Sequence, residues 1–158
     1  INEHLHTFFF IITRRWRWGG SKQTTIMGIF DMFINKSKRE DLSHIKVLLA
    51  LALADGKIDK AELAAIAAVC QREHISESEI KRCLENPDSI EFEQPKDHET
   101  KVKYLRDMVC IMMADGDIDK NEFVLCKLTA ETLGFRHEVI DAMILDIISD
   151  LKRELDKL

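Results

Sequence analysis

Acidic side chains recur in two short stretches of this chain of 158 residues. The first is ADGKIDKAEL at positions 54–63 and the second is ADGDIDKNEF at positions 114–123, so the two align 60 positions apart without a gap. Carboxylate oxygens are the ligands that hard divalent cations prefer. The candidate cation ligands are Asp55, Asp59, Glu62, Asp115, Asp117, Asp119 and Glu122. Since Asp117 replaces a lysine of the first stretch, the second stretch is predicted to be the stronger cation site.

The same residues also fit a tight turn between two helices. An apolar run ends at each Ala-Asp-Gly, and glycine is common where a helix closes in a left-handed conformation. Asp59 with Glu62, and Asp119 with Glu122, have the spacing of a capping box, in which each side chain accepts a backbone N–H of the new helix. The hydrophobic staples expected beside these caps pair Ile58 with Leu63 and Ile118 with Phe123.

The aspartates that open the two stretches, Asp55 and Asp115, are not explained by capping. Asp55 and Asp115 fall at the carboxyl end of a predicted helix, where the helix dipole disfavours negative charge by about 0.3–1 kcal/mol. Each therefore needs a partner, which is either a nearby lysine, such as Lys57 beside the first copy, or a bound cation. An EF-hand is a poor match, because a loop that ends at Glu62 places leucines at its first and third ligand positions.

Charge and cysteine usage narrow the class of protein. The formal net charge is −5, and residues 1–26 hold four basic residues against one acidic residue, so the rest of the chain is strongly acidic. An acidic body argues against nucleic acid, which requires a basic face. The four cysteines form no Cys-x-x-Cys motif, and Cys70, Cys110 and Cys126 lie in apolar helical registers. We expect small buried thiols in a reduced, cytoplasmic protein.

The motifs of common enzyme classes are missing from the sequence. It contains no Gly-x-Ser-x-Gly, no phosphate-binding loop, no His-Glu-x-x-His and no glycine-rich dinucleotide turn. The outstanding carboxylates already fit helix caps, and no nucleophile or histidine recurs beside them. We therefore predict that the protein is not an enzyme.

Six helices are predicted from the apolar periodicity and the start and stop signals, at about 43–54, 60–73, 76–85, 98–114, 120–133 and 137–158. Repeat one thus spans 43–85, an acidic linker with prolines spans 86–98, and repeat two spans 99–158. We predict an all-α helical bundle of two pseudo-symmetric three-helix repeats plus an N-terminal helix. The second helix should bury Leu63, Ile66, Ala67, Val69 and Cys70. The apolar stripe of the last helix should enter the core for most of its length and form a partner surface at its exposed tail.

The first 35 residues differ from the rest. Residues 1–26 combine a short apolar run with an Arg/Trp cluster, and we predict a non-native or disordered extension that does not insert into a membrane, because the run is too short. Residues 27–158 form the predicted domain, whose first segment should dock Phe30 and Phe33 on the body. Asn35–Asp41 is predicted to be a polar connector.

The doubled A-D-G-x-I-D-x-x-E, each copy after a buried apolar helix in an acidic all-helical chain, resembles the TerB-like family over residues 27–158. The resemblance implies a bacterial cytoplasmic module of the tellurite-resistance or chemical-stress response. It also implies a divalent metal ion at the acidic turns, no organic cofactor, and protein partners such as membrane-associated TerC-type proteins. Two other functions stay open: a non-catalytic protein–protein adaptor whose acidic turns are only helix caps, and a remnant calcium-binding protein of the EF-hand type.

Overall fold

Six α-helices make up the part of the protein that the computed structural model describes, which is residues 36–54, 56–86 and 92–158. In chain order they are α1 Lys36–Ala52, α2 Lys60–Arg72, α3 Glu77–Glu85, α4 His98–Met112, α5 Lys120–Thr132 and α6 Glu138–Leu155. No β-strand occurs within these ranges, which confirms the predicted all-α class there. The predicted extension over 1–26 and the predicted N-terminal helix lie outside the described residues.

Helix α1 begins earlier than predicted. Lys36–Asp41, expected as part of a polar connector, forms the first turns of the helix. Lysine, arginine and glutamate have high helix propensity. Two of these side chains also form ion pairs, Lys38 with Glu79 at 3.4 Å and Arg39 with Glu93 at 3.9 Å. The connector prediction is wrong because polarity alone does not distinguish a solvated helical turn from a loop.

Side-chain caps begin four of the helices. The caps are Asp59 for α2, Ser76 for α3, Asp97 for α4 and Asp119 for α5. Each carboxylate or hydroxyl accepts a backbone N–H that has no partner inside the first turn of its helix. The capping box predicted for α2 is formed through Glu62, and α3 begins with a further one through Glu79; at α5 the Asp119 half of the predicted box is formed, since Asp119 accepts the N–H of Glu122. The predicted starts of these four helices are therefore confirmed.

Four helices are followed by a residue with a positive φ, and these four residues form two pairs that are 60 positions apart. Gly56 and Gly116 follow α1 and α4 with φ of 92° and 90°, a region that glycine enters without steric cost. His74 and Gly134 follow α2 and α5 with φ of 53° and 88°. The residue after each of the latter two donates its N–H to the carbonyl five positions earlier, as in a Schellman closure.

Helices α1 and α4 form the centre of the bundle. They contact each other, α2 and α5 each contact both of them, α3 packs chiefly on α1, and α6 packs on α4 and α5. The largest fully buried side chains of the two central helices are Ile45, Leu48, Leu51, Leu105, Met108, Ile111 and Met112. The core therefore lies along the contact between α1 and α4, and the acidic turns lie at the ends of these two helices.

Some residues that were predicted to be buried are exposed in the structure. Leu63 is 55% exposed and Ala67 is also exposed. The side of α2 that faces the core carries Glu62, Ile66, Val69 and Cys70 instead. Successive helical residues are rotated by about 100°, so the inward turn of Glu62 directs Leu63 towards solvent. Cys110 is likewise exposed rather than buried. Each predicted staple also has one exposed member, namely Leu63 or Ile118.

Candidate functional site

The first acidic turn uses its described carboxylates to cap α2. Asp59 Oδ1 accepts the N–H of Ala61 at 2.7 Å, and Glu62 Oε2 accepts the N–H of Asp59 at 2.7 Å. Glu62 is buried although it is acidic. Asp55, the third candidate ligand of this turn, lies outside the described residues. Both described carboxylates are therefore engaged with backbone donors.

The second acidic turn gives Asp115 a partner that needs neither a lysine nor a cation. Asp115 Oδ1 accepts the N–H of Asp117 at 3.0 Å, which closes an Asx-type turn just after α4. Asp119 Oδ1 accepts the N–H groups of Asn121 at 2.7 Å and Glu122 at 3.2 Å. Glu122 is buried, as Glu62 is in the first copy. The acidic residue at the end of α4 thus has a local structural role.

The carboxylates of the turns do not converge into a ligand set. Within residues 36–54, 56–86 and 92–158, no group of three or more His, Cys, Asp and Glu side chains is placed to hold a metal ion. This range includes all four candidates of the second turn, Asp115, Asp117, Asp119 and Glu122. Asp115 and Asp119 bind N–H groups of their own turn and helix start instead of a common point. The cation site stays a prediction.

A buried polar cluster that the sequence analysis missed joins three helices. Asp107 of α4 accepts a hydrogen bond from His44 Nε2 of α1 at 2.8 Å. It also accepts two from the Arg72 guanidinium of α2, at 2.9 and 2.7 Å. Such bidentate arginine–carboxylate pairs are stronger and more directional than neutral hydrogen bonds. His44 and Asp107 are both buried, so the cluster ties α1, α2 and α4 together inside the bundle.

The cluster extends through Glu73 to Lys103, and it reaches solvent at the partly exposed side chains of Arg72 and Lys103. Arg72 Nε donates to Glu73 Oε1 at 2.7 Å, and Lys103 Nζ lies 2.5 Å from the same oxygen. Asp107, Arg72, Glu73 and Lys103 therefore form a row in which each charge lies beside an opposite one. This alternation offsets the desolvation cost that a buried charge would otherwise carry.

Burial and hydrogen bonding set the protonation of the cluster. Burial lowers the pKa of His44 below its ordinary value, against the opposing effect of Asp107. Burial alone would raise the pKa of Asp107, but hydrogen bonds from His44 and Arg72 outweigh it and lower that pKa. The pKa of Glu73 is lowered in the same way beside Lys103 and Arg72. At neutral pH a neutral His44 thus donates its Nε2–H to an ionised Asp107.

The rings of His44 and Tyr104 stack where α1 crosses α4. Their centroids are 3.7 Å apart and their planes differ by 2°. A cavity of about 20 Å³ lies beside the rings, lined also by Ser43, Met108 and Thr129. This volume accepts about one water molecule, whereas small-molecule sites measure about 300–1,000 Å³. The cavity beside His44 is too small for a substrate, and we interpret the cluster, whose members tie three helices together, as structural.

The sequence analysis missed this cluster because its members are distant along the chain. His44 and Asp107 are 63 positions apart, and Arg72 and Asp107 are 35 apart. One local signal was present. His44 and Asp107 each lie on one of the two apolar helices that precede the acidic turns, and a buried polar group must find a partner.

Exposed apolar side chains concentrate on two adjacent helices. Seven of the nine large exposed apolar residues in the described part of the chain belong to α5, α6 and the residues that follow α6. They are Val124, Leu128, Leu145, Ile148, Leu151, Leu155 and Leu158, and we refer to them as the α5–α6 face. The two helices run antiparallel, since Lys127 pairs with Asp141 at 3.1 Å and Glu131 with His137 at 3.0 Å. The exposed tail predicted for the last helix is confirmed, but the prediction that most of its apolar stripe enters the core is wrong, because only the first half does so, through Ile140, Met143 and Ile147.

None of the described helices combines the length and the apolar character that crossing a bilayer requires. Comparisons with protein-family models, with curated proteins and with solved structures find no match for this chain. The likeness to the TerB-like family stays a prediction, and the functional argument rests on the geometry above.

Proposed function

We propose that this protein is a non-catalytic helical module that acts by binding other protein chains through the α5–α6 face. The observation that carries the proposal is the concentration of exposed apolar side chains on two adjacent helices. Exposed apolar patches on a protein surface mark sites of protein–protein interaction. In this proposal the acidic turns are helix caps, which agrees with the backbone N–H groups that Asp59, Asp115 and Asp119 accept.

We further propose that the module consists of two related halves, α1–α3 and α4–α6, as the doubled motif suggests. The matching glycine turns support this, and so does the stack of His44 on Tyr104, which are themselves 60 positions apart. A TerB-like module of this design would work in the bacterial cytoplasm in the response to tellurite or other chemical stress. Its partners would include TerC-type proteins at the membrane.

Photo-cross-linking in cells tests the binding face. A photoreactive residue at Leu145 should give discrete adducts, and one at Lys81, which is also exposed but lies on α3, should not. Leu151→Asp should abolish the adducts from Leu145, because an ionised side chain is not accommodated in an apolar contact. The same adducts from both positions, or adducts that survive Leu151→Asp, would contradict the proposal.

Cation binding is a second candidate function, and one observation favours it in the second turn. Asp115 and Asp117 are both exposed there, and Asp119 follows two positions later, whereas the first turn has Lys57 in the place of Asp117. Since Asp115 and Asp119 each already use one oxygen for a backbone N–H, a cation would share these carboxylates with the turn.

Thermal unfolding of the full chain with and without excess Ca²⁺, Mg²⁺, Mn²⁺ or Zn²⁺ decides between the two roles. An ion present at about 100 times its Kd stabilises a protein by about 2.7 kcal/mol, which corresponds to a Tm increase of about 5–11 °C at this size. Asp117→Lys, which copies the first turn, should remove the increase if the second turn binds the ion. No increase with any of the four ions would leave the carboxylates as caps.

A further inference from the structure

Two buried thiols lie on the consecutive helices α2 and α3. Cys70 is in the last turn of α2 and Cys83 is in the last turn of α3, and residues 73–76 connect the two helices. Both side chains are 3% exposed and belong to the same hydrophobic core. A negative charge on Cys70 would raise the pKa of Cys83, so the two thiols are within electrostatic reach of each other. The fold thus brings together two nucleophiles that are 13 positions apart along the chain.

Helix α3, which carries Cys83, is anchored by fewer buried side chains than α6. Among the described side chains of α3, Cys83 is buried and Ile80 is partly buried. Helix α6 buries three, namely Ile140, Met143 and Ile147. Segments with few buried apolar contacts open locally while the rest of a protein stays folded. We therefore expect α3 to open more often than the rest of the bundle.

Lys38 of α1 holds the start of α3 through two polar contacts. Its Nζ donates a hydrogen bond to the His74 carbonyl at 2.7 Å and lies 3.4 Å from Glu79 Oε2. Both members of the ion pair are partly exposed, so water competes for it. Loss of the lysine side chain should therefore raise the population of the open helix and leave the apolar core intact.

The closed position of α3 keeps both thiols unreactive, because the thiolate and not the thiol is the nucleophile. Burial raises the pKa of Cys83 to about 11 and also raises the pKa of Cys70, so both groups stay protonated at neutral pH. When α3 opens, Cys83 is solvated and its pKa returns towards the ordinary value of about 8.5. Opening thus provides both access for an oxidant and the reactive form of the thiol.

We propose that Cys70 and Cys83 are a reversible dithiol–disulfide pair, which a peroxide oxidises when α3 opens from the bundle. A disulfide requires Cα atoms about 4.4–6.8 Å apart, and the short segment between the two cysteines keeps them close while α3 moves. The bond ties the end of α3 to α2. The inference goes beyond the proposed function and does not depend on the α5–α6 face.

The oxidation takes two steps, each of which releases water. The Cys83 thiolate attacks one oxygen of hydrogen peroxide, so an S–O bond forms, the O–O bond breaks and hydroxide leaves. The Cys70 thiolate then attacks the Cys83 sulfur, so the S–S bond forms, the S–O bond breaks and a second hydroxide leaves. The two thiols lose two electrons to the peroxide, and their two protons convert the two hydroxides to water. An added dithiol reduces the bond again by thiol–disulfide exchange.

Mass spectrometry of the full chain after treatment with hydrogen peroxide tests the pair. The chain carries Cys110→Ser, which removes the exposed native thiol. We expect the loss of two hydrogen atoms, located to a link between Cys70 and Cys83 and reversed by dithiothreitol. Cys126 is the internal control, because it is buried on α5 and should stay reduced.

A pair of lysine variants tests whether α3 controls the reaction. Lys38→Ala removes the contacts with His74 and Glu79 and should speed disulfide formation by about 2- to 10-fold, as the loss of one hydrogen bond implies. Lys127→Ala is the matched control. Lys127 is similarly exposed and pairs with Asp141 at 3.1 Å, but this contact joins α5 to α6. Its removal should leave the rate unchanged.

Three results would overturn the inference, provided that circular dichroism shows a folded chain. Cys70 and Cys83 that both stay reduced in peroxide refute the reaction. A sulfinic acid on Cys83 with Cys70 still reduced refutes the pairing. Equal acceleration by the two lysine variants, or oxidation of Cys126 at the same rate, refutes the control by α3. None of these results affects the proposed function, which the cross-linking at Leu145 tests separately.

Discussion

A carboxylate at the end of a helix is stabilised by hydrogen bonds from the backbone N–H groups within its reach. Asp115 lies where the dipole of α4 disfavours negative charge, yet its side chain accepts the N–H of Asp117 in the turn. Asp59 and Asp119 do the same at the starts of α2 and α5. The sequence pattern alone cannot separate caps from metal ligands, because both roles require a short side chain with an oxygen acceptor at a turn.

Substitutions at Asp119 separate the role of the oxygen from the role of the charge. Asp119→Ala should lower the free energy of unfolding by about 0.5–2 kcal/mol, because two N–H groups lose their acceptor, whereas Asp119→Asn keeps a capping oxygen and should be nearly neutral. Urea denaturation of the full chain measures both values. An equal loss in the two variants would show that the negative charge is required, as a bound cation would demand.

At the scale of the helices, the local sequence predicts where a helix begins better than it predicts which side of the helix is buried. The starts of α2, α3, α4 and α5 follow from a capping residue and its neighbours, all within one turn of chain. The start of α1 could not be predicted in this way, because its charged first turns are stabilised by Glu79 and Glu93 from distant segments. Leu63 shows the same limit, since only the inward turn of Glu62 fixes which side of α2 is buried.

The turns after α2 and α5 predict opposite effects for two substitutions. Gly134 has a φ of 88° and open space around it, so Gly134→Ala should cost about 1–2 kcal/mol from the backbone alone. His74 holds the equivalent position with a φ of 53°. His74→Gly should raise the free energy of unfolding by about 0–1 kcal/mol, because the relief of backbone strain exceeds the entropy cost of glycine. Chemical denaturation of both variants gives the comparison, and destabilisation by His74→Gly would refute it.

At the scale of the whole molecule, the polar cluster joins helices that no local pattern relates. Asp107 accepts hydrogen bonds from His44 of α1 and Arg72 of α2. These residues become neighbours only once α1, α2 and α4 have packed. The sequence predicts apolar helices before the two turns and an inner apolar face on α2, but not which polar residues meet. The candidate face on α6 was more accessible to prediction, because its apolar stripe is continuous along one helix.

The cluster predicts how stability depends on pH. The pKa of His44 is lowered in the folded chain, so below the ordinary histidine pKa of about 6.5 the unfolded chain binds a proton that the folded chain does not. The free energy of unfolding should therefore fall as the pH drops from about 6.5 until the folded pKa is reached. Asp107 and Glu73 have lowered pKa values, so their contribution is lost only at more acidic pH, below their unfolded values of about 4.

Urea denaturation at a series of pH values measures this dependence. His44→Phe should flatten the slope between about pH 5 and 6.5, since it removes the titrating ring and leaves Asp107 paired with Arg72. An unchanged slope in the variant would show that another group is responsible.

The attachment of α3 to the bundle has a consequence for the chemistry of the thiols. This helix has nine residues and packs chiefly on α1, so we expect it to open locally before the whole chain unfolds. Cys83 on α3 is buried, and burial raises its pKa to about 11, whereas Cys126 on α5 is buried with a pKa raised to about 12. A thiol reagent should label the exposed Cys110 at once, Cys83 at the rate at which α3 opens, and Cys126 only after global unfolding. Labelling of Cys83 and Cys126 at one common rate would show instead that the bundle opens as a single unit.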